Sequence, residues 1–243
     1  MQTIFFEDIG KIAYDAAWDY QETLMQANLR IKAQRYNNAE TATAADAQTQ
    51  HHLLFCEHPA VYTIGKSGHM ENLLVNDARL KELNVSFFKT NRGGDITYHG
   101  PGQIVSYPIL DLEMFVTDLG KYMRNLEEAI IRTLKHYGIE GGRLPGSTGV
   151  WLDADIKGRA RKICAMGVRC SRWVTMHGLA LNVNTDLRYF DYIVPCGITD
   201  KSVTSMQKEL GRTIDEQEVK DILRHEFGAV FNAAIADKTA VMV

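Results

Sequence analysis

Cysteine is scarce in this chain, and its spacing excludes two architectures. Cys56, Cys164, Cys170 and Cys196 are the four cysteines among 243 residues, and no two form a C-x-x-C pair. Neither a disulfide framework nor a structural zinc site is expected, and the thiols are read as reduced. A basic excess is also lacking: a net charge of -3 and a pI near 6.2 give no broad field for holding a phosphate backbone. That argues against nucleic acid as a partner. No apolar run approaches membrane-spanning length, and MQTIFFEDIGK has neither the basic start nor the apolar core of a secretory signal. The expectations are no membrane association and a cytoplasmic location. His51, His52, His58 and His69 have no cysteine or carboxylate at ligand spacing, so they read as surface or hydrogen-bonding residues and no metal is expected.

What is present describes one globular domain, 45% hydrophobic and 23% charged, long enough to bury a sizeable core. Residues 3–6 suit a short strand. Ala13, Ala17, Tyr20, Leu24, Ala27 and Ile31 recur at helical spacing and predict a core-packing helix. Residues 37–50, NNAETATAADAQTQ, carry no large apolar side chain and read as a mobile surface insertion. Strands are expected at 51–56, 85–88 and 103–112, the last with Pro108 marking an edge or bulge, and a short helix at 77–83. Thr117 is the expected N-cap of a long helix with Leu119, Met123, Leu126, Ile130, Leu134 and Tyr137 inward and Gly138 at its end. Further strands fit 150–152, 162–168 and 173–183. Thr213 with Glu216 forms a capping-box pattern ahead of a helix bearing Val219, Ile222, Leu223, Phe227 and Phe231. Strands and helices mix without βαβ regularity, so the fold class is α+β, with a largely antiparallel or mixed sheet covered by helices.

Three stretches carry chemistry. RGGDITYHGPGQ, residues 92–103, places four glycines between strand-like runs and reads as the floor of an active site. Its glycines allow close backbone approach, while Arg92, Thr97, Tyr98 and His99 supply polar groups. An ordinary glycine-rich turn is the alternative. In RKICAMGV, Lys162 heads a strand that runs to Ala165, Met166 and Gly167; in WVTMHGLALNVN, Gly178 in mid-strand implies a bulge or close approach. In YIVPCGITDK, Cys196 lies between Pro195 and Gly197, a pattern for a sharp exposed turn. It is the natural nucleophile among four thiols, with a structural role as the other reading of the same residues. Lys162 by itself reads as a solvated charge.

Taken in order, RGGDITYHGPGQIVSYP, RKICAMGV, WVTMHGLALNVN and IVPCGITDKSVTSM resemble the lipoyl(octanoyl) transferases, across residues 55–231. The resemblance implies the fold of the biotin and lipoate protein ligases, a catalytic domain of mixed sheet and helices. It implies an acyl pocket lined by Arg92, Gly93, Gly94, Asp95, Ile96, Thr97, Tyr98 and His99, by Ala165, Met166 and Gly167, and by Gly178, Leu179 and Ala180. It further implies that Cys196 carries an acyl thioester and that Lys162 tunes it, with no cofactor. The implied partners are octanoyl-acyl carrier protein as donor, and as acceptors the lipoyl domains of 2-oxoacid dehydrogenase complexes and the glycine cleavage H protein. Two features stand outside the family pattern, the insertion at 37–50 and a second thiol, Cys164, two residues from Lys162.

Thioester exchange is like for like and amide formation is downhill, so the reaction needs no nucleotide; no P-loop is recognisable. A free thiol with a pKa of ~8.5 is about 3% thiolate at pH 7. Lowering that pKa by ~2.5 units raises the thiolate fraction ~30-fold, but a Brønsted slope of ~0.45 removes about 13-fold in nucleophilicity. Positioning, proton transfer and oxyanion stabilisation must therefore carry most of the acceleration. An ATP-dependent lipoate or biotin ligase would share the fold and a lysine, but would need an adenylate site and no acyl-cysteine. A noncatalytic acyl-protein binding module would hold the carrier without becoming acylated.

Overall fold

In chain order the elements of the computed structural model are β1 (Gln2–Lys11), α1 (Tyr14–Asn37), β2 (His51–Glu57), β3 (Val61–Ile64), α2 (Asp77–Glu82), β4 (Ser86–Lys89), β5 (Ile96–His99), β6 (Gln103–Ile109), α3 (Leu119–Lys135), β7 (Gly142–Leu144), β8 (Ser147–Leu152), β9 (Arg161–Ser171), β10 (Val174–Asn182), β11 (Ser202–Val203), α4 (Met206–Leu210), α5 (Glu216–Phe231) and β12 (Ala233–Asp237). The structure describes residues 1–37, 48–194 and 201–238. The expected turn at Cys196 and residues 38–47 of the expected insertion lie outside them.

Among the described residues, a main sheet runs β12-β1-β2-β6-β10-β9-β8-β7 with β11 added to β9, and a small sheet runs β4-β3-β5. Parallel pairs (β1 with β2 and with β12, β9 with β11, β3 with β4) stand beside antiparallel ones, so the sheet is mixed, as expected. Helices cover both faces of the main sheet, which is why β2 is apolar on both sides. Leu53 and Phe55 enter the core shared with α3 and α5, whereas Leu54 and Cys56 face the core under α1. Each such side chain contributes roughly 1.5–3 kcal/mol by leaving water. The small sheet has its own core around Tyr62, Ile64, Ile96, Tyr98 and Phe190.

Several local expectations are corrected. In α1 the buried stripe is Tyr14, Ala17, Gln21, Met25 and Asn28, while Ala13 and Ala27 are exposed. Two amides turn the helix. Gln21 Oε1 accepts the His177 N–H at 2.9 Å, and Asn28 exchanges hydrogen bonds of 2.6 and 2.8 Å with the Gln50 backbone. The same contacts shorten the insertion. Asn37 is helical, Thr49 is buried with its hydroxyl 3.1 Å from Asp111 Oδ2, and Gln50 is fixed to α1.

The N-cap of α3 is Asp118 and that of α5 is Asp215, each accepting from backbone N–H groups of the first turn. A carboxylate there also meets the positive end of the helix dipole, an advantage Thr117 and Thr213 lack. Thr213 instead accepts from Gln207 Nε2. Pro108 lies in a central strand, not at an edge. The ladder between β6 and β10 ends at Ser106↔Leu179, so Pro108 sits beyond it. His51 and His58 are buried and hydrogen-bonded, to the Asp111 N–H and to the Ile12 carbonyl and Tyr107 hydroxyl; His69 is exposed. No helix among the described residues is long and apolar enough to cross a membrane.

Candidate active site

Three stretches, two of them the arms of one hairpin, are drawn together by backbone geometry. In the β9–β10 ladder Gly178 pairs with Gly167, Leu179 with Met166 and Ala180 with Ala165, so 165–167 and 178–180 are cross-strand neighbours. The Gly93 N–H donates to the Val168 carbonyl at 2.8 Å, which brings the 92–95 loop onto β9. Between them lies a cavity with about 770 Å³ of non-atom space, open solvent at its mouth included. Its lining takes Arg92, Gly94, Asp95, Ile96, Thr97 and His99 from the first stretch, and all six residues of 165–167 and 178–180. Lys162 lines it too.

Gly93 and Tyr98 do not line the cavity. Gly93 is committed to β9, and Tyr98 is fully buried in the core of the small sheet, stacked on Tyr189 with ring centroids 4.7 Å apart. Sequence reasoning missed Tyr14, Val105, Tyr107, Asn182, Phe190 and Val203 as lining residues, while Gln103 closes the 92–103 stretch read as the site floor. Gln103, Val105 and Tyr107 alternate along β6 and share one face, a period-two signal that was available. Tyr14 and Phe190 come from distant segments and carry no local signal.

Gly178 is required by close approach. A Cβ there would lie 2.1 Å from the Ser106 carbonyl oxygen and 2.7 Å from Pro108 Cδ, both parts of the neighbouring strand. At Gly93 the nearest atom to a Cβ would be 3.5 Å away. We therefore expect Gly178→Ala to destabilise the fold by several kcal/mol, on the order of an overpacked core, and Gly93→Ala by less than about 1 kcal/mol. Chemical denaturation of the two variants checks this; equal midpoints would contradict the pairing described.

Arg92 acts as a clamp on the loop that carries it. Buried, it donates to the carbonyls of Thr63, Gly93 and Asp95 and to the Thr63 hydroxyl, at 2.7–3.0 Å. The Thr63 hydroxyl accepts that hydrogen bond and donates its own to His99 Nε2 (3.3 Å), leaving His99 Nδ1–H for Gln103 Oε1 (2.8 Å). Gln103 Nε2 continues to Asn182 Oδ1 (2.8 Å), and Asn182 Nδ2 to the Thr204 carbonyl (2.9 Å). One polar chain thus crosses the cavity wall from the small sheet to the residue after β11.

His177 has a left-handed backbone, φ +58°, uncommon for a side chain of this size. Its Nε2 lies 2.7 Å from Asn91 Oδ1, and Nδ1 has no hydrogen-bond partner among the described residues.

Burial holds three histidines neutral. His99 and His177 are pushed down to about 3, and His52 to about 4, burial being the largest cause and nearby cations adding to it. In the unfolded chain each titrates near 6.5. Because the folded values are depressed, the unfolded state binds more protons between these limits. Stability is complete above about pH 6.5 and falls as pH drops toward 4 and 3. Each histidine removes about 1.4 kcal/mol per pH unit in that window, the three together about 4. Urea unfolding between pH 7.5 and 5 should show stability falling ever more steeply, approaching this slope near pH 5, and His52→Gln should reduce the limiting slope by about one proton. A flat profile would mean these rings carry charge in the folded protein.

The described cysteines are poorly suited to attack. Cys56 and Cys164 are fully buried and burial raises both thiols well above their ordinary range; half-buried Cys170 is raised as well. Cys164 is absent from the cavity lining and packs in the main core. Lys162, by contrast, lines both the cavity and an adjoining groove, a position shared by Phe190 and Val203. These three residues mark where the largely apolar cavity meets the adjoining groove.

Residues 14–228 match the family model of the lipoyl protein ligase A/B catalytic domain. An octanoyltransferase of Cytophaga hutchinsonii is 51% identical over 238 residues, 98% of this chain and 96% of that protein. An octanoyltransferase of Flavobacterium johnsoniae is 55% identical over 235 residues, covering 96% and 98%. Among solved structures, a bi-partite lipoate protein ligase from Thermoplasma acidophilum gives a TM-score of 0.69 at 15% identity, over 98% of this chain and 87% of that one. A lipoate-protein ligase A bound with ATP gives 0.65 at 15% identity, over 98% and 87%. At such identities the likeness shows the fold alone, and the fold is that of the lipoate ligases, as expected. Near-complete coverage at half identity goes further: the chain belongs to the octanoyltransferases of the lipoyl protein ligase A/B catalytic domain family.

Proposed function

We propose that this octanoyltransferase carries its acyl group on Cys196. The Cys196 thiol passes its proton to the neutral Lys162 amine, and the resulting thiolate adds to the carbonyl carbon of an octanoyl thioester on acyl carrier protein. The carbon–sulfur bond to the carrier breaks, and the carrier thiolate leaves with a proton returned from Lys162. In the second half the ε-amine of a lipoyl-domain lysine adds to the same carbonyl and gives up a proton to the Lys162 amine, which passes it to the departing Cys196 sulfur. Cys196 is then released as a thiol and an amide remains. The acceptors are lipoyl domains of 2-oxoacid dehydrogenase complexes and the glycine cleavage H protein, and the reaction runs in the cytoplasm. The chain works as one catalytic domain.

The observation that carries this reading is the junction at Lys162, Phe190 and Val203. An octanoyl chain suits the inner space, walled by Ile96, Val105, Ala165, Met166, Leu179 and Ala180. The thioester would then lie at its rim, within reach of a lysine. Turnover without nucleotide is the test. Octanoyl-acyl carrier protein and an apo lipoyl domain should give octanoylated domain in the absence of ATP, while free octanoate with ATP should give none. The reverse pattern would assign the ligase reaction instead, and carrier binding without any product would assign a binding module.

A further inference from the structure

The lane that holds Lys162 is built on β8, and one of its parts has no role in the chemistry above. Val150 pairs with Cys164 and Trp151 with Lys162, so β9 carries an extra residue, Ile163, between two successive pairs. Such a bulge re-aims side chains. Ile163 and Cys164 are both fully buried, while Lys162 is turned to the cavity rim. Gly149, at φ +106°, lets the strands close: a Cβ would sit 2.4 Å from the Cys164 carbonyl oxygen and 3.7 Å from Lys162 Cδ. The Gly149 N–H donates to Glu127 Oε1 at 3.1 Å, and this fully buried carboxylate is itself held by Arg124 and Arg143. At the end of the lane the Lys162 Nζ rests 4.6 Å from the centroid of the Trp151 ring.

Trp151 is an expensive residue for a plain core position. It is 2% exposed, and its Nε1 is buried with no hydrogen-bond partner among the described residues. An unsatisfied donor there is a cost that phenylalanine would not incur. What indole offers in return is the best ring face for a cation. We propose that Trp151 is a positioning residue for acyl transfer, its ring face holding the Lys162 ammonium at the cavity rim. This rests on the reading that Lys162 serves Cys196.

Single-turnover octanoyl transfer by the full-length protein tests it, with Trp151→Leu and Trp151→Phe each made alone and together with Lys162→Met. Trp151→Leu should slow transfer about 5–30-fold with little change in KM for the donor, and Trp151→Phe by less. In the Lys162→Met background either substitution should add less than about 2-fold, since the cation it positions is gone. The pH profile of Cys196 alkylation should move in the same direction in Trp151→Leu as in Lys162→Met. Equal losses in both backgrounds, or no loss in folded Trp151→Leu, would overturn the proposal; where Trp151→Leu does not fold, the Trp151→Phe cycle decides by the same criterion. If wild-type protein never acquires octanoyl on Cys196, the underlying reading fails and takes this one with it. If it does, only the role of Trp151 is at stake.

Discussion

Cys196→Ala should yield a folded protein that never becomes acylated and whose transfer rate falls by on the order of 10³–10⁶-fold, the scale seen when a covalent nucleophile is removed. Cys164→Ala should behave differently. Its thiol lies in the main core and burial holds it protonated, so the variant should keep acyl transfer within about 3-fold and lose only packing stability. Steady-state transfer and thermal unfolding of both variants check the contrast. Acylation that survives in Cys196→Ala and disappears in Cys164→Ala would reverse the assignment, even though Cys164 stands two residues from Lys162.

Lys162→Met should slow transfer by about 10²–10⁴-fold, the usual contribution of a positioned proton-transfer group. The substitution preserves much of the stem and removes the charge and the proton-accepting amine. With the cation gone, the alkylation profile of Cys196 should move to higher pH. Lys162→Arg separates the two contributions. Guanidinium keeps a charge over the site but does not release a proton near neutrality. Its alkylation profile should stay near wild type while transfer remains slow. An unchanged rate in folded Lys162→Met would remove the lysine from the reaction and leave backbone dipoles or a histidine to activate the thiol.

The converging stretches were legible because glycine and strand alternation leave marks in sequence. Gly178 in mid-strand indicated a close approach, and the Ser106 carbonyl supplies it. The pairing of 165–167 with 178–180 follows from a hairpin whose two strands were both recognisable. What failed was information held by partners. The rotation of α1 depends on amides of Gln21 and Asn28 that bond to His177 and Gln50, residues 156 and 22 positions away. Tyr98 looked like a polar group of the site because its neighbours were, but Tyr62, Tyr189 and Phe190 form an aromatic core that claims it. The seat of Lys162 could not be read either. It needs a bulge at Ile163, a glycine at 149 and a tryptophan on the adjacent strand, and no local pattern links the three.

The most direct measurement is the intact mass of the wild-type protein after brief incubation with octanoyl-acyl carrier protein alone, with no nucleotide and no acceptor, followed by peptide mapping and a chase with an apo lipoyl domain. The predicted result is one octanoyl group per chain, on the peptide containing Cys196, which the chase transfers quantitatively to the domain. Octanoyl domain formed at full rate while the protein itself never gains mass, or a stable adduct on any other residue that resists the chase, would contradict the acyl-enzyme account.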